Sequence, residues 1–227
     1  MPVSSIVVSA PGGQIVPISP RNLMERRDNI QSVTGLVIIC HMIDYDETMF
    51  RLFVAIRPPA PIRTFLIDRM GGVIGARWQD DAQLHITLRF IGEVDRHRAN
   101  DIADALGAIR FTPFDIRLSG VGLFDRKGVV DALWAGVEPR DPLAALHRKV
   151  DRACVSTGLL PEERAYLPHA TMARFGRSGG AVDGFLAVHA GLASDSFTVD
   201  RFSLFESRLG TSGASYTPVA DYPAQGG

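Results

Sequence analysis

The pattern His-x-Thr occurs twice in this chain, as His85-Ile86-Thr87 and His169-Ala170-Thr171. Each copy lies in an apolar stretch and is followed within a few residues by an arginine and a phenylalanine. One such tripeptide means nothing, because it arises by chance in many chains; two in matching surroundings are far more specific. Histidine, with an ordinary pKa of about 6.5, can give or take a proton at physiological pH. A pair supplies a base to activate water and an acid to protonate a leaving oxygen. Threonine hydroxyls donate hydrogen bonds to nonbridging phosphate oxygens, and an arginine offsets charge as it builds in the transition state. Together these groups are what opening a phosphodiester by acid–base catalysis requires. Neither a metal nor a cofactor is expected.

The two stretches read as β-strands over 83–94 and 169–175, whose successive residues face opposite ways. In the first, His85, Thr87 and Arg89 share one face; Leu84, Ile86, Leu88 and Phe90 share the other, which must be core. In the second, His169 and Thr171 share a face with Phe175. Arg174 falls out of that alternation and reaches the site only if the strand twists, bulges or ends there. Phe175 is thus a candidate to line the cleft and stack on a base, and Phe124 is another, since aromatic rings serve as platforms for nucleobases. Trp134 and Phe90 are assigned to the core, and Arg89 is undecided between cleft and surface. His97 and His147 lie in charged or amphipathic helical stretches and are expected to face solvent, while His189 is expected to be structural.

Around these strands the pattern alternates. A strand at 50–56 is followed by a helix that opens on Pro58-Pro59 and stops at Gly71-Gly72. Helices are predicted over 95–109 and 141–158, the second with an Asp141 cap and a Gly158 stop, and a short one near 181–190. Further strands are predicted at 114–124, 131–137, 196–206 and 214–222. Each half has a helix, a strand carrying His-x-Thr, another helix and paired strands. That echo predicts an α+β fold, bilobal and pseudo-two-fold, with antiparallel sheets lining a central cleft and helices outside.

The 227 residues and 46% hydrophobic content suffice for one sizeable core or two small lobes. No apolar run approaches the roughly 18–20 residues of a membrane helix. No membrane partner is expected, and a cytoplasmic monomer is the default. A formal net charge of -1 argues against coating long nucleic acid, but not against recognising one phosphate at a chain end. Of the 24 basic residues only Lys127 and Lys149 are lysines; the arginines can grip phosphate in a bidentate way that lysine cannot. Cys40 and Cys154 lie far apart without a CxxC pattern, which excludes a cysteine-built metal site; Cys154 reads as a small buried hydrophobe. Residues 1–48 differ from the rest and lack the features of a secretory signal. Their apolar stretch at 35–40 could form a short strand or helix. They are read as an N-terminal extension, poorly ordered or added by a start assigned too early, and the functional domain is placed at 49–223.

The segments HITLRFIGEV and PHATMARF resemble the two signatures of the 2H phosphoesterase superfamily, in its bacterial 2'-5' RNA ligase-like branch. FRLFVAI, GVGLFDRKGVVDALWAGV and FTVDRFSLFESRLGTSGASYTPVADYP also resemble parts of that branch. The likeness runs from Met49 to Pro223. It implies a bilobal fold whose motif strands line a central cleft, and an RNA 2',3'-cyclic phosphodiesterase that leaves a 2'-phosphate without a catalytic metal. It also implies roles: His85 the proton donor to the leaving 3'-oxygen, His169 the base on water, and Thr87, Thr171 and Arg174 the binders of substrate phosphate. The implied partners are RNA ends, such as tRNA-like fragments, or small cyclic phosphodiesters. Other functions would use the same residues: joining RNA ends by a 2'-5' bond in the reverse direction, hydrolysis of a small cyclic nucleotide, or non-catalytic RNA-end binding, whose mark would be a lost histidine. A metallohydrolase is disfavoured, since there is no HExxH, no acidic pair near either histidine and no cysteine set.

Overall fold

A computed structural model of the chain describes residues 6–9, 15–18, 49–177, 179–210 and 213–225. The chain divides into two compact units, Met1–Glu47 and Thr48–Gly227. In the first, β1 (Ile6–Ser9) and β2 (Ile15–Ile18) pair antiparallel. The element expected at 35–40, together with Cys40 and His41, lies outside the described residues.

The second unit opens with β3 (Phe50–Ile56), in which Leu52, Val54 and Ile56 enter the main core and Phe53 and Ala55 face the other way. It continues through α1 (Ala60–Ile67), β4 (Arg77–Trp78), a 3-10 turn (Asp81–Gln83), β5 (Ile86–Val94) and α2 (Arg96–Gly107). Next come β6 (Phe114–Arg126), β7 (Val129–Glu138), α3 (Arg140–Ser156), β8 (His169–Arg174) and α4 (Asp183–His189). The chain closes with β9 (Phe197–Val199), β10 (Arg201–Gly210) and β11 (Gly213–Pro223). Local chemistry explains the helix starts. Pro59 precedes α1, where a missing N–H costs nothing. The Asp95 carboxylate accepts from the Arg98 N–H at 2.8 Å to cap α2. The expected Asp141 cap is displaced: α3 begins after Pro139 without a side-chain cap, and Asp141 sits in its first turn, where the helix dipole favours an acid.

The strands run in the order β11-β10-β3-β5-β8-β7-β6-β9, with β4 also on β8, and every pairing is antiparallel. The centre of this path is narrow. β5 and β8 meet at one residue pair, Ile86 opposite Ala170, so the sheet is two half-sheets joined at a seam. The sequence β3-α1-β5-α2 in one half is answered by β7-α3-β8-α4 in the other. The bilobal, pseudo-two-fold α+β expectation is therefore met.

The seam is held mainly from behind. Leu84, Ile86, Leu88, Ala170 and Met172 are buried with Leu66, Ile102, Leu106, Leu146, Val150 and Cys154 from the helices. Burying a side chain such as Ile86 fully contributes about 1.5–3 kcal/mol, which makes the helix side the dominant cement. Cys154 is the buried small residue expected of it, and burial pushes its thiol up to about 11. The opposite face of the sheet carries the polar motif residues. Among the described residues no helix is long and apolar enough to cross a membrane.

Candidate active site

Each motif histidine is held by its own backbone. His85 Nδ1 lies 2.6 Å from the Gln83 carbonyl, and His169 Nδ1 lies 2.7 Å from the Leu167 carbonyl. A carbonyl only accepts, so Nδ1 is the donor in both rings and the neutral imidazole presents a bare Nε2. The same i to i−2 bond in both halves is the pseudo-two-fold at atomic scale. Gln83 is itself fixed: its side-chain oxygen accepts from the Asp80 N–H, its N–H donates to the Asp80 carboxylate, and its Nε2 donates to the Ala214 carbonyl on β11. The capping box thus positions the carbonyl that orients His85. The expected strand at 83–94 starts only at Ile86 because the 3-10 turn occupies its first residues.

Aromatic rings wall each imidazole. His85 is met edge-on by Tyr216 (centroids 5.1 Å apart, planes at 84°) and contacted by Phe53 at 4.9 Å. His169 is met edge-on by Phe124 (4.9 Å, 83°), and Trp134 lies tilted against it at 6.1 Å. Trp134 finds room because its register partner is Gly122, where a Cβ would lie 2.3 Å from the indole.

Two β-bulges decide what else reaches the cleft. Opposite Val54 and Ala55 of β3, strand β5 spends three residues, Arg89, Leu88 and Thr87, with Leu88 the extra one. Alternation therefore flips after Thr87. Phe90, assigned to the core from sequence, pairs with Phe53 and is 52% exposed on the histidine side. Arg89, at 8% exposure, turns to the other side, where it meets Asp151 and Glu162 at 3.0 and 3.1 Å and donates to the Leu160 carbonyl. It is not a surface residue; it borders the cleft of the two histidines and ties down the loop that leads to His169. In β8 the extra residue is Met172, between Thr171 opposite Trp134 and Ala173 opposite Leu133. The flip brings Arg174 to the face of His169 and Thr171. It also sends Phe175 into the core at 5% exposure, which corrects the expectation that Phe175 lines the cleft and stacks on a base. His85, Thr87 and Phe90 thus match His169, Thr171 and Arg174 position for position.

The first bulge leaves backbone carbonyls to be satisfied. His147 Nδ1 donates to the Leu88 carbonyl at 2.7 Å, and the Tyr166 hydroxyl donates to the Thr87 carbonyl at 3.2 Å. The two rings stack at 4.2 Å. His147 is therefore a half-buried support and not the solvated residue expected, whereas His97 is exposed as expected. Tyr166 and Tyr216 carried no pattern in the sequence that marked them.

A cleft of about 430 Å³ is lined by His85, Thr87, His169, Thr171, Arg174 and Phe124 among others. Burial, against the pull of the Gln83 hydrogen bond and helped by Arg174 and His169, lowers the His85 pKa to about 4. Burial and Arg174 also lower that of His169. Both rings are thereby biased toward the neutral form at pH 7, and the Arg174 guanidinium is close enough to act on both. Among the described residues no three His, Cys, Asp or Glu side chains are grouped to hold a metal ion.

A two-lobed antiparallel fold with a His-x-Thr strand in each lobe, both facing one cleft, defines the two-histidine phosphoesterase class. Comparison with known proteins agrees: residues 58–211 match the family model of the 2'-5' RNA ligase superfamily. The chain belongs to that superfamily. It is 41% identical over 96 residues to an RNA 2',3'-cyclic phosphodiesterase of Aeropyrum pernix, covering 42% of this chain and 54% of that one. Over 151 residues it is 28% identical to a protein of the same name from Geobacillus stearothermophilus, covering 66% and 48%. It thus spans about half the length of these two relatives. The crystal structure of E. coli LigT complexed with 3'-AMP superposes with a TM-score of 0.65 at 26% identity, covering 79% of this chain and 100% of that one.

Proposed function

We propose that this protein hydrolyses RNA ends bearing a 2',3'-cyclic phosphate and leaves a 2'-phosphate, by acid–base catalysis between two histidines without a metal. The observation that carries this reading is the matched pair of imidazoles, each with Nδ1 bound to a carbonyl and Nε2 left bare, in one cleft with two threonines and an arginine. The phosphate sits among Thr87, Thr171 and Arg174. His169 takes the proton of the attacking water through Nε2, and His85 delivers a proton to the leaving 3'-oxygen. The reverse reaction, joining a cyclic end to a 5'-hydroxyl, uses the same groups. A mere binding module would have no use for two bare Nε2 atoms set in register.

The pH dependence tests the reading. The active form carries one proton on the pair, and kcat/KM reports the pair in the free enzyme. With His85 held at about 4 and His169 below its ordinary value, kcat/KM on a cyclic-ended oligonucleotide is expected to be bell-shaped, its acid limb near 4 and its alkaline limb below about pH 6.5. In kcat both limbs move up, because a bound phosphate anion favours the charged imidazolium. A rate that stays flat from pH 5 to 9 would remove the two imidazoles from the chemistry.

A further inference from the structure

The two imidazoles are aimed by the same kind of bond, but the carbonyls that aim them are secured differently. On the His85 side the means are local: Gln83 is held by Asp80 and by β11 of the same lobe. On the other side β7 fixes only the backbone of His169, whose register partner is Gly136. The Leu167 carbonyl that receives its Nδ1–H lies in a stretch without helix or strand, residues 159–168. Two of the bonds that hold this stretch come from β5, the strand of the opposite lobe that carries Thr87. Near its start, Arg89 donates to the Leu160 carbonyl and meets Glu162 at 3.1 Å. Near its end, the Tyr166 hydroxyl donates to the Thr87 carbonyl at 3.2 Å. Since β5 and β8 share a single register pair, this loop is a second link between the lobes, and it runs to the carbonyl that aims His169.

Arg89 is suited to fixing a position. Its Nε lies 3.0 Å from the Asp151 carboxylate on α3, and the same carboxylate accepts from the Glu162 N–H at 3.2 Å. One guanidinium, 8% exposed, therefore joins β5, α3 and the loop. Its donors form a rigid planar fork, so two carboxylates and a carbonyl are met in one geometry only. Bonds between charged groups are also short and directional. Stability alone gives little reason for such a network, because well-packed apolar residues often serve as well as buried ion pairs. A small misplacement of a reacting group, by contrast, can cost about 10²-fold in rate.

We propose that Arg89 is the positioning residue of His169: from the strand that carries Thr87, it holds Glu162 and Leu160 so that the Leu167 carbonyl keeps the His169 ring in the Nδ1–H form with Nε2 turned to the cleft. Its catalytic consequence rests on the functional reading above. Arg89 acts through the loop and touches neither the reacting atoms nor the phosphate. One strand thus governs both imidazoles, His85 directly ahead of it and His169 across the seam.

The test reads the rings themselves, by 15N NMR of the free protein labelled at histidine, beside kinetics on a cyclic-ended oligonucleotide. In the parent, His85 and His169 should both show the Nδ1–H tautomer. In Arg89→Met, His169 should become a mixture of tautomers while His85 stays as it was. The His169 pKa should also rise toward about 6.5, because burial is the main cause that lowers it. In the same variant kcat should fall by about 10²-fold with KM nearly unchanged. Arg89→Lys should lie between, since lysine keeps the charge and loses the fork. Glu162→Ala cuts the same link at its partly exposed end and leaves Arg89 its Asp151 partner, so it reads the link even if Arg89→Met fails to fold. Its His169 signals should change in the same way and to a smaller extent. Unchanged His169 signals, or signals of both histidines moving together, would overturn the assignment. So would a lowered melting temperature with kcat per folded molecule retained, and so would a rise in KM alone, which would make Arg89 a substrate contact. If the parent opens no cyclic phosphate, the functional reading falls, while the His169 signals still decide whether Arg89 orients that ring.

Discussion

Replacing His169 with alanine is expected to lower kcat/KM for a cyclic-ended oligonucleotide by about 10²–10⁴-fold, and replacing His85 to do the same, the usual range for a positioned general acid or base. The double variant should be little worse than either single one, because groups that act as a unit are not additive. The loss should lie in kcat more than in KM, since on the proposed reading Thr87, Thr171 and Arg174 would still hold the ground-state phosphate. Neither ring is part of the main core, so the variants should fold. Acid stability supplies an independent check. A histidine whose folded pKa is depressed withholds a proton that the unfolded chain accepts, so its stabilising contribution is present above about pH 6.5 and is lost as pH falls through the folded value. With His85 held at about 4, His85→Ala should remove part of the stability loss between those two values. Full turnover in either single variant would end the case for a pair.

The second large effect is expected at Arg174. Removing a preorganised cation aimed at developing charge costs about 10²–10³-fold in kcat, and KM should rise as well if, as proposed, the same guanidinium binds the substrate phosphate. That combined loss should stay below the loss from either histidine variant. Arg174→Ala should also move the pH profile. Arg174 lowers the pKa of both imidazoles, so its removal lets both rise and shifts the alkaline limb of kcat/KM upward. A variant that loses rate with an unmoved pH profile would mean that Arg174 acts on substrate alone and stands too far from the rings to tune them.

Much of this site is written locally in the chain. His85 with Thr87, and His169 with Thr171, are two residues apart on apolar strands, and two-residue alternation places them correctly without knowledge of any neighbour. What lay beyond reach begins two or three residues further on. Phe90, Arg89, Arg174 and Phe175 all sit past a bulge, and a bulge is a property of a pair of strands. Leu88 becomes an extra residue only because β3 supplies one fewer position opposite it, and Met172 only because β7 does. The residues that make the first bulge affordable are remote too: His147 from α3 and Tyr166 from the loop after it satisfy the Leu88 and Thr87 carbonyls. In sequence, His147 looks like any polar residue on an amphipathic helix. Strand β4, two residues long, has no period to detect, yet it brings Arg77 beside Arg174. The lobes themselves were legible because each repeats the same order of elements; their joining through a single residue pair was not.

The central claim is that two side-chain imidazoles, without a metal, open the cyclic phosphate. It is tested most directly by treating a 2',3'-cyclic-ended oligoribonucleotide with protein exhaustively stripped by EDTA and identifying the product. The account predicts undiminished turnover in the chelator and a 2'-phosphate as the sole new end, with the same yield when a divalent metal is added back. Turnover that disappears with chelation and returns with metal would contradict it, because His85 and His169 would then be acting as ligands.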